Sequence, residues 1–180
     1  MFTNDGLTVI MEEVDMLFAE LQVLSASGPH FRIIHRFHRP GTECALGEEI
    51  FAVYLIFRGR EYSIRLSLAL RIIFDYMARH PHFSQSASQI EAGLRADRFY
   101  VQHSASTMGR EKFTRRITRS YVRVYIERMR SALESAFTEA GLLIGVKDVL
   151  ISQATVMNEV GYRLKATFEW IHTPAQMLDS

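Results

Sequence analysis

Residues 110–130 read REKFTRRITRSYVRVYIERMR, and in them Arg110, Lys112, Arg115, Arg116, Arg119, Arg123, Arg128 and Arg130 are opposed only by Glu111 and Glu127. The segment carries +6 in a chain whose formal net charge is +1, which leaves −5 for everything else. Segregation of this kind is the electrostatic footprint of a polyanion-binding face. Val122, Ile126, Met129 and Leu133 recur at helical spacing through the same stretch, so one side of a helix is buried and the arginines are displayed on the other. The spacing predicts a helix from about Glu111 to Glu139 that closes at Gly141. A merely solvated helix mixes its signs in i, i+4 pairs. Here only Glu127, near Arg123 and Arg130, interrupts the basic run, and nucleic acid is the expected partner.

Two shorter helices precede this one. Ser67 is placed as the N-cap of a helix reaching Arg79, with Leu70, Ile73, Phe74 and Met77 as its inward stripe and His80-Pro81 as its stop. Ser86-Ala87-Ser88-Gln89 has the capping-box form, and Ile90 and Leu94 then lie four apart on the buried side of a second helix. Ala96 to Gly109 reads as a polar loop. After the basic helix, Val149, Ile151 and Val156 lead through Met157-Asn158-Glu159 into Tyr162, Leu164, Ala166 and Phe168, the alternation of a C-terminal hairpin. Two short helices, a longer basic helix and a hairpin make a winged helix-turn-helix.

Further upstream the period is two. Phe31, Ile33, His35 and Phe37 share one face of a strand; Ile50 to Phe57 forms a second strand after a loop at Pro40-Gly41 to Gly47; and Arg58-Gly59-Arg60 turns into a third, Glu61 to Leu66, in which Tyr62, Ile64 and Leu66 face one way. The expected fold class is therefore α+β, with an N-terminal antiparallel sheet, a three-helix core and a wing hairpin.

An additional helix opens the chain. Leu7, Ile10, Val14, Leu17, Leu21 and Leu24 follow one another at intervals of 3, 4, 3, 4 and 3, the seam of a short coiled coil, with Met11 and Phe18 widening the stripe. Its other face holds Asp5, Glu12, Glu13, Asp15 and Glu20 with no Lys or Arg. Dimerisation through this seam and docking onto the chain's own domain stand as equal alternatives. Ser25-Ala26-Ser27-Gly28-Pro29 is read as the linker, so residues 1–28 form an acidic amphipathic appendage and 29–180 the DNA-binding domain.

Composition narrows the function classes. With 48% hydrophobic and 23% charged residues the chain can bury a core. Its single cysteine, Cys44, can close no internal disulfide, and no signal peptide or apolar run of about 18 residues is present; a cytoplasmic protein with no membrane partner is expected. His35 and His38 point to opposite faces of a strand, and His30, His80, His82 and His103 are scattered, so no metal is expected. Neither G-x-S-x-G, G-x-x-x-x-G-K-[ST] nor H-E-x-x-H occurs. No enzyme and no cofactor are read from the chain.

On the basic helix Arg119 and Arg123 lie one turn apart on one face, and Arg116 continues the line. Arginine there can fork onto guanine O6 and N7 or grip phosphate. Arg116, Arg119 and Arg123 are assigned the groove contact, with Lys112, Arg115, Arg128 and Arg163 as phosphate candidates and Ser120 and Asn158 completing the DNA-binding set. Tyr121 and Tyr125 sit beside them, at least one being expected to fill the groove between helix and sheet.

The segment VRVYIERMRSAL, residues 122–133, resembles the recognition helix of OmpR/PhoB-type winged-helix regulators, which commonly reads V-D-V-H-I-S-R-L-R-K-K-L. Val160-Gly161-Tyr162-Arg163-Leu164 is similar to the G-V-G-Y-R-L ending of that domain's wing. Arg65-Leu66-Ser67, the helix end at Ala78-Arg79-His80-Pro81, and Ser86 to Ile90 resemble the family's strand and helix junctions. The resemblance covers roughly Phe31 to Trp170, in the right order. It implies a transcription regulator that binds duplex DNA with its third helix in the major groove and its wing at the adjacent minor groove or backbone, and RNA polymerase or another regulator as a possible protein partner. The chain also departs from the family. Some 30 residues ahead of the domain cannot hold a phosphoacceptor fold, so phosphorelay control through this chain is not expected. Arg123 stands where Asp is common and Ser131-Ala132 replaces a basic pair, which puts an inherited base preference in question, and Asn158-Glu159 replaces Arg-Gly at the wing turn, which weakens the case for minor-groove insertion. Two alternatives remain: a winged-helix protein–protein interaction module, and a plasmid-type replication initiator, which would bind tandem sites at an origin rather than sites beside promoters.

Overall fold

The computed structural model describes residues 4–36, 51–97, 100, 117–155 and 157–173. Their order is α1 (Asn4–Ser27), β1 (His30–Arg36), β2 (Phe51–Phe57), β3 (Arg60–Ser63), α2 (Leu68–Arg79), β4 (Gln85–Ser86), α3 (Ala87–Ala96), α4 (Arg119–Ala140), α5 (Val146–Val149), β5 (Leu150–Ala154), β6 (Val160–Leu164) and β7 (Thr167–Thr173). The fold is α+β. One sheet has the strand order β3-β2-β1-β7 and a smaller one the order β4-β6-β5.

Alternation decides which face of the larger sheet is covered. Phe31, Ile33, Val53 and Leu55 are buried, and Phe31 meets Phe74 of α2 edge-on at 5.2 Å and Phe137 of α4 at 6.4 Å. The opposite face carries the polar partners. Arg32 donates from Nε to Glu169 Oε2 at 2.9 Å, pairs also with Glu61, and so bridges three strands across solvent.

The periodicity of the helices is borne out. Leu70, Ile73, Phe74 and Met77 are buried in α2, and His80 follows as its C-cap. Ser67 occupies the N-cap position of that helix but makes no side-chain cap bond. The capping box of α3 is complete: Ser86 Oγ accepts from Gln89 N while Gln89 Oε1 accepts from Ser86 N, and Ile90 and Leu94 are fully buried. Gly93 lets α3 lie close to α2, since a Cβ there would stand 1.8 Å from the Tyr76 hydroxyl.

Four expectations are corrected. The basic helix begins at Arg119 rather than near Glu111, because Thr118 is extended and its Oγ1 accepts from Tyr121 N. Arg116 lies outside the described residues. The strand expected to end the hairpin is two strands: β6 pairs antiparallel with β5 as far as Leu164, and after Lys165-Ala166 the chain joins the other sheet as β7, parallel to β1. The third strand is shorter than expected, and Ile64 and Leu66 are buried beyond its end. Finally, Ser25-Ala26-Ser27 continues α1, so the connection to β1 is Gly28-Pro29 alone, and both residues are buried. The loop from Pro40 to Gly47, Phe37, His38, Cys44, His103 and most of Ala96–Gly109 fall outside the described residues.

Gly28 is a rigid junction. Its φ is +74°, and a Cβ would lie 2.2 Å from the backbone oxygen of Lys165; its N–H donates to Leu24 O at 2.8 Å, and Pro29 O accepts from Thr167 N at 3.0 Å. Gly28→Ala is expected to cost roughly 1–3 kcal/mol of folding stability, since both the backbone conformation and the close approach resist a side chain. Urea denaturation checks this, and an unchanged midpoint would mean that the junction relaxes freely.

Among the described residues no helix is long and apolar enough to cross a membrane.

Candidate nucleic-acid interface

The candidate site is built where the N-termini of α3 and α4 meet the turn between β5 and β6. The core stripe of α4 is Val122, Tyr125, Ile126, Met129, Leu133, Ala136 and Phe137, and it turns Ser120, Arg123, Val124, Glu127, Arg128 and Ser131 to solvent. Tyr125 is buried and Tyr121 exposed, their rings stacked at 6.0 Å. One tyrosine thus fills the interior as the sequence suggested, and the other widens the outer surface.

The start of α4 is held by α3. Glu91 Oε2 accepts from the backbone N–H of Arg119 at 2.6 Å, placing a carboxylate on the positive end of the helix dipole. Arg95 steadies that carboxylate at 2.9 Å and donates to Ile117 O at 3.2 Å. These contacts tie the start of α4 to α3.

The turn between β5 and β6 is equally constrained. Thr155 N donates to Glu159 O at 2.8 Å, Asn158 N donates to Thr155 O at 2.9 Å, and Asn158 itself is left-handed with φ of 57°, a conformation asparagine tolerates better than most residues. Glu159 then folds back onto the helices. Its Oε2 accepts from Ser88 Oγ at 3.0 Å and its Oε1 from Arg119 Nη2 at 3.2 Å. The hydroxyls of Ser86 and Ser88, followed by the charges of Arg119 and Arg123, hold the Glu159 carboxyl below the usual carboxylate range. The acidic turn is a clasp between the hairpin and both helices, not an outward-facing charge.

The predicted cations separate accordingly. Arg119 is on the surface but paired with Glu159. Arg130 is drawn to the hairpin side, bonded to Glu127 and Ser152 and donating to Leu150 O at 3.4 Å. Arg123 and Arg128 are exposed and make no ion pair among the described residues. Arg163 is half-buried on β6, with Nε buried and lacking a hydrogen-bond partner. Ser120 and Asn158 are exposed. Lys112, Arg115 and Arg116 lie outside the described residues, as does Arg110. Arg119, Ser120 and Arg123 thus stand at the start of α4, and Arg119 is tied through Glu159 to the turn that carries Asn158, while Arg163 lies farther along β6 and Arg128 more than two turns along the helix from Arg119.

Sequence reasoning missed Glu91, Ser88 and the inward course of Glu159. Glu91 could have been found as an acidic residue one turn into a capped helix ahead of a basic segment. Nothing local announces that Glu159 points inward.

A second polar cluster joins α2 to β7. Asp75, fully buried, accepts from Tyr100 Oη at 2.6 Å, Trp170 Nε1 at 2.9 Å and Arg79 Nε at 3.1 Å. Burial, then the Asp75 carboxylate, push the Tyr100 hydroxyl far above the ordinary tyrosine range, so it stays a donor. No group of three or more His, Cys, Asp or Glu side chains is placed to hold a metal among the described residues. Comparison with known protein families, with curated proteins and with solved structures finds no match to this chain.

Proposed function

We propose that the protein is a sequence-specific regulator that binds double-stranded DNA in the cytoplasm through a winged helix-turn-helix, with α3 and α4 as the helix pair, the β5–β6 hairpin as the wing, and α4 as the helix that enters the major groove. The observation that carries the reading is the pair of exposed arginines, Arg123 and Arg128, on the solvent face of α4, which make no ion pair among the described residues, with Arg110, Lys112, Arg115 and Arg116 preceding that helix in the sequence. Arg123 is assigned to base edges. Arg128 and Arg163, with Lys112 and Arg115, are assigned to phosphate. Arg119 takes part as the groove residue nearest the wing, oriented by Glu159 until DNA competes for its guanidinium. Because Glu159 turns inward, Asn158 is the polar side chain left at the wing tip, suited to backbone contact rather than minor-groove insertion.

Selection from a random duplex pool at physiological salt is the test, with the Arg119→Ala/Arg123→Ala double variant as control. A motif enriched by the wild type and lost by the variant is expected. Weak, salt-sensitive binding without enrichment would overturn sequence-specific recognition. The arrangement of enriched sites, beside promoters or in tandem arrays, separates transcription control from replication initiation.

A further inference from the structure

We infer that α1 is a dimerisation element whose partner is the same helix of a second copy of this chain, aligned parallel and in register. Among the described side chains, those that attach it to the domain lie at its end. Leu24 is half-buried against the core, and Glu20 receives Arg58 at 2.7 Å and 3.1 Å. Farther along, the seam faces solvent: Val14 is 42%, Leu17 40% and Leu21 37% exposed, with Phe18 beside them at 61%. From Val14 to Leu21, therefore, the stripe is not buried on its own domain.

The occupant follows from the heptad. Leu7, Val14 and Leu21 take the a positions and Ile10, Leu17 and Leu24 the d positions, a ladder complementary to itself. Glu13 and Glu20 fall at g, while Met11, Phe18 and Ser25 fall at e. In a parallel pair each g residue faces the e residue of the next heptad across the seam. Glu13 then lies near the partner's Phe18 and Glu20 near the partner's Ser25, with no like-charge contact. An antiparallel pair that layers a on d instead sets Glu13 against the partner's Glu20 twice. The remaining acids, Asp5, Glu12 and Asp15, fall at f and b, away from the seam. Orientation is thus selected by where the carboxylates are, in a segment with no cation of its own to offset them.

The Gly28 junction makes this consequential. Because α1 enters β1 through two buried residues rather than a flexible linker, a parallel pair would hold the two domains about a two-fold axis at a set separation. The inference stands on α1 alone and does not depend on DNA binding.

Light scattering and sedimentation of the full chain, without DNA, are the first measurements. Twice the chain mass is expected, falling to the monomer mass in Leu17→Glu/Leu21→Glu. A wild type that stays monomeric up to its solubility limit would overturn the proposal, as would a double variant that remains dimeric. Thermal unfolding of that variant checks that its domain is intact. Should it not fold, Val14→Cys in a Cys44→Ser background decides: an a residue meets its own copy only in the parallel pair, so oxidation should yield a covalent dimer. Cross-linking seen only when Val14→Cys chains are mixed with Leu17→Cys chains would establish the antiparallel pair and overturn the orientation. Dimer mass found only when a second, basic protein is added would assign the seam to that partner instead.

Discussion

Asp75→Ala is expected to cost about 3–5 kcal/mol of folding stability, the largest loss of any single substitution considered. The carboxylate is fully buried and gathers three donors from three parts of the chain: Arg79 one turn on in α2, Tyr100, and Trp170 of β7. Truncation removes the buried acceptor of the Tyr100 hydroxyl and the Trp170 indole N–H, and takes a carboxylate away from the exposed Arg79 guanidinium. Asp75→Asn should cost less, because one amide oxygen still accepts, although its NH2 group then faces donors. Urea denaturation of the three proteins measures this. A loss under about 1 kcal/mol for alanine, the size of an ordinary hydrogen bond, would show that the cluster is peripheral to stability. Since Asp75 fastens α2 to β7 and α2 supports α3 and α4, the alanine variant should also weaken the DNA binding proposed above without touching DNA.

Arg123→Ala is expected to weaken binding to the selected site by about 1–3 kcal/mol, which is roughly 5- to 150-fold in Kd, while changing binding to a scrambled duplex much less. Arg115→Ala should instead lower both affinities alike, as loss of a phosphate contact does. Fluorescence anisotropy with the two duplexes at one salt concentration separates the cases. Equal losses for the two substitutions would sink the division between base reading and backbone gripping. Arg123 is chosen over Arg119 because Arg119 is already tied to Glu159, so its removal disturbs the clasp as well as any contact with DNA.

Much of the fold was legible because local chemistry and burial agree. The Ser86–Gln89 capping box, the apolar stripe of α2 and the left-handed Gly141 that ends α4, with φ of 69°, are short-range features, and short-range patterns are what a sequence displays. The start of α4 was misplaced because residues 111–118 continue without Gly or Pro, and Thr118 stops the helix only by taking an extended backbone. β7 was missed for a different reason. Tyr162, Leu164, Ala166 and Phe168 keep period two straight through the point where the chain changes sheets, and no local signal distinguishes one long strand from two. The buried Asp75 was visible as the lone acid in an apolar helix, four residues before Arg79, but the partners that make it tolerable are distant in sequence. Of the cations assigned to DNA, Arg119 and Arg123 lie near the start of α4, Arg128 farther along it and Arg163 on β6, while Lys112, Arg115 and Arg116 lie outside the described residues. The Arg119–Glu159 ion pair and the bonds from Arg130 to Leu150 and Ser152 depend on tertiary contacts with the hairpin and could not be read from charge alone, whereas the Arg130–Glu127 pair is local to α4.

The parallel pairing of β1 with β7 has a kinetic consequence. Arg32 and Glu169, neighbours across the two strands, are 137 residues apart in the chain. Until β7 arrives, β1 is joined only to β2, and the row of backbone donors and acceptors on its other side lies open at the edge of the sheet. Closing so long a loop is costly in entropy and slow, and the reward comes only when the last strand seats. During that interval β1 can recruit a stray strand from another molecule in the place reserved for β7. A chain cut before Thr167 would remain in that condition permanently, with its edge unfilled and Asp75 deprived of Trp170. Proteolysis near the end of this domain should therefore do more damage than the few residues removed would suggest.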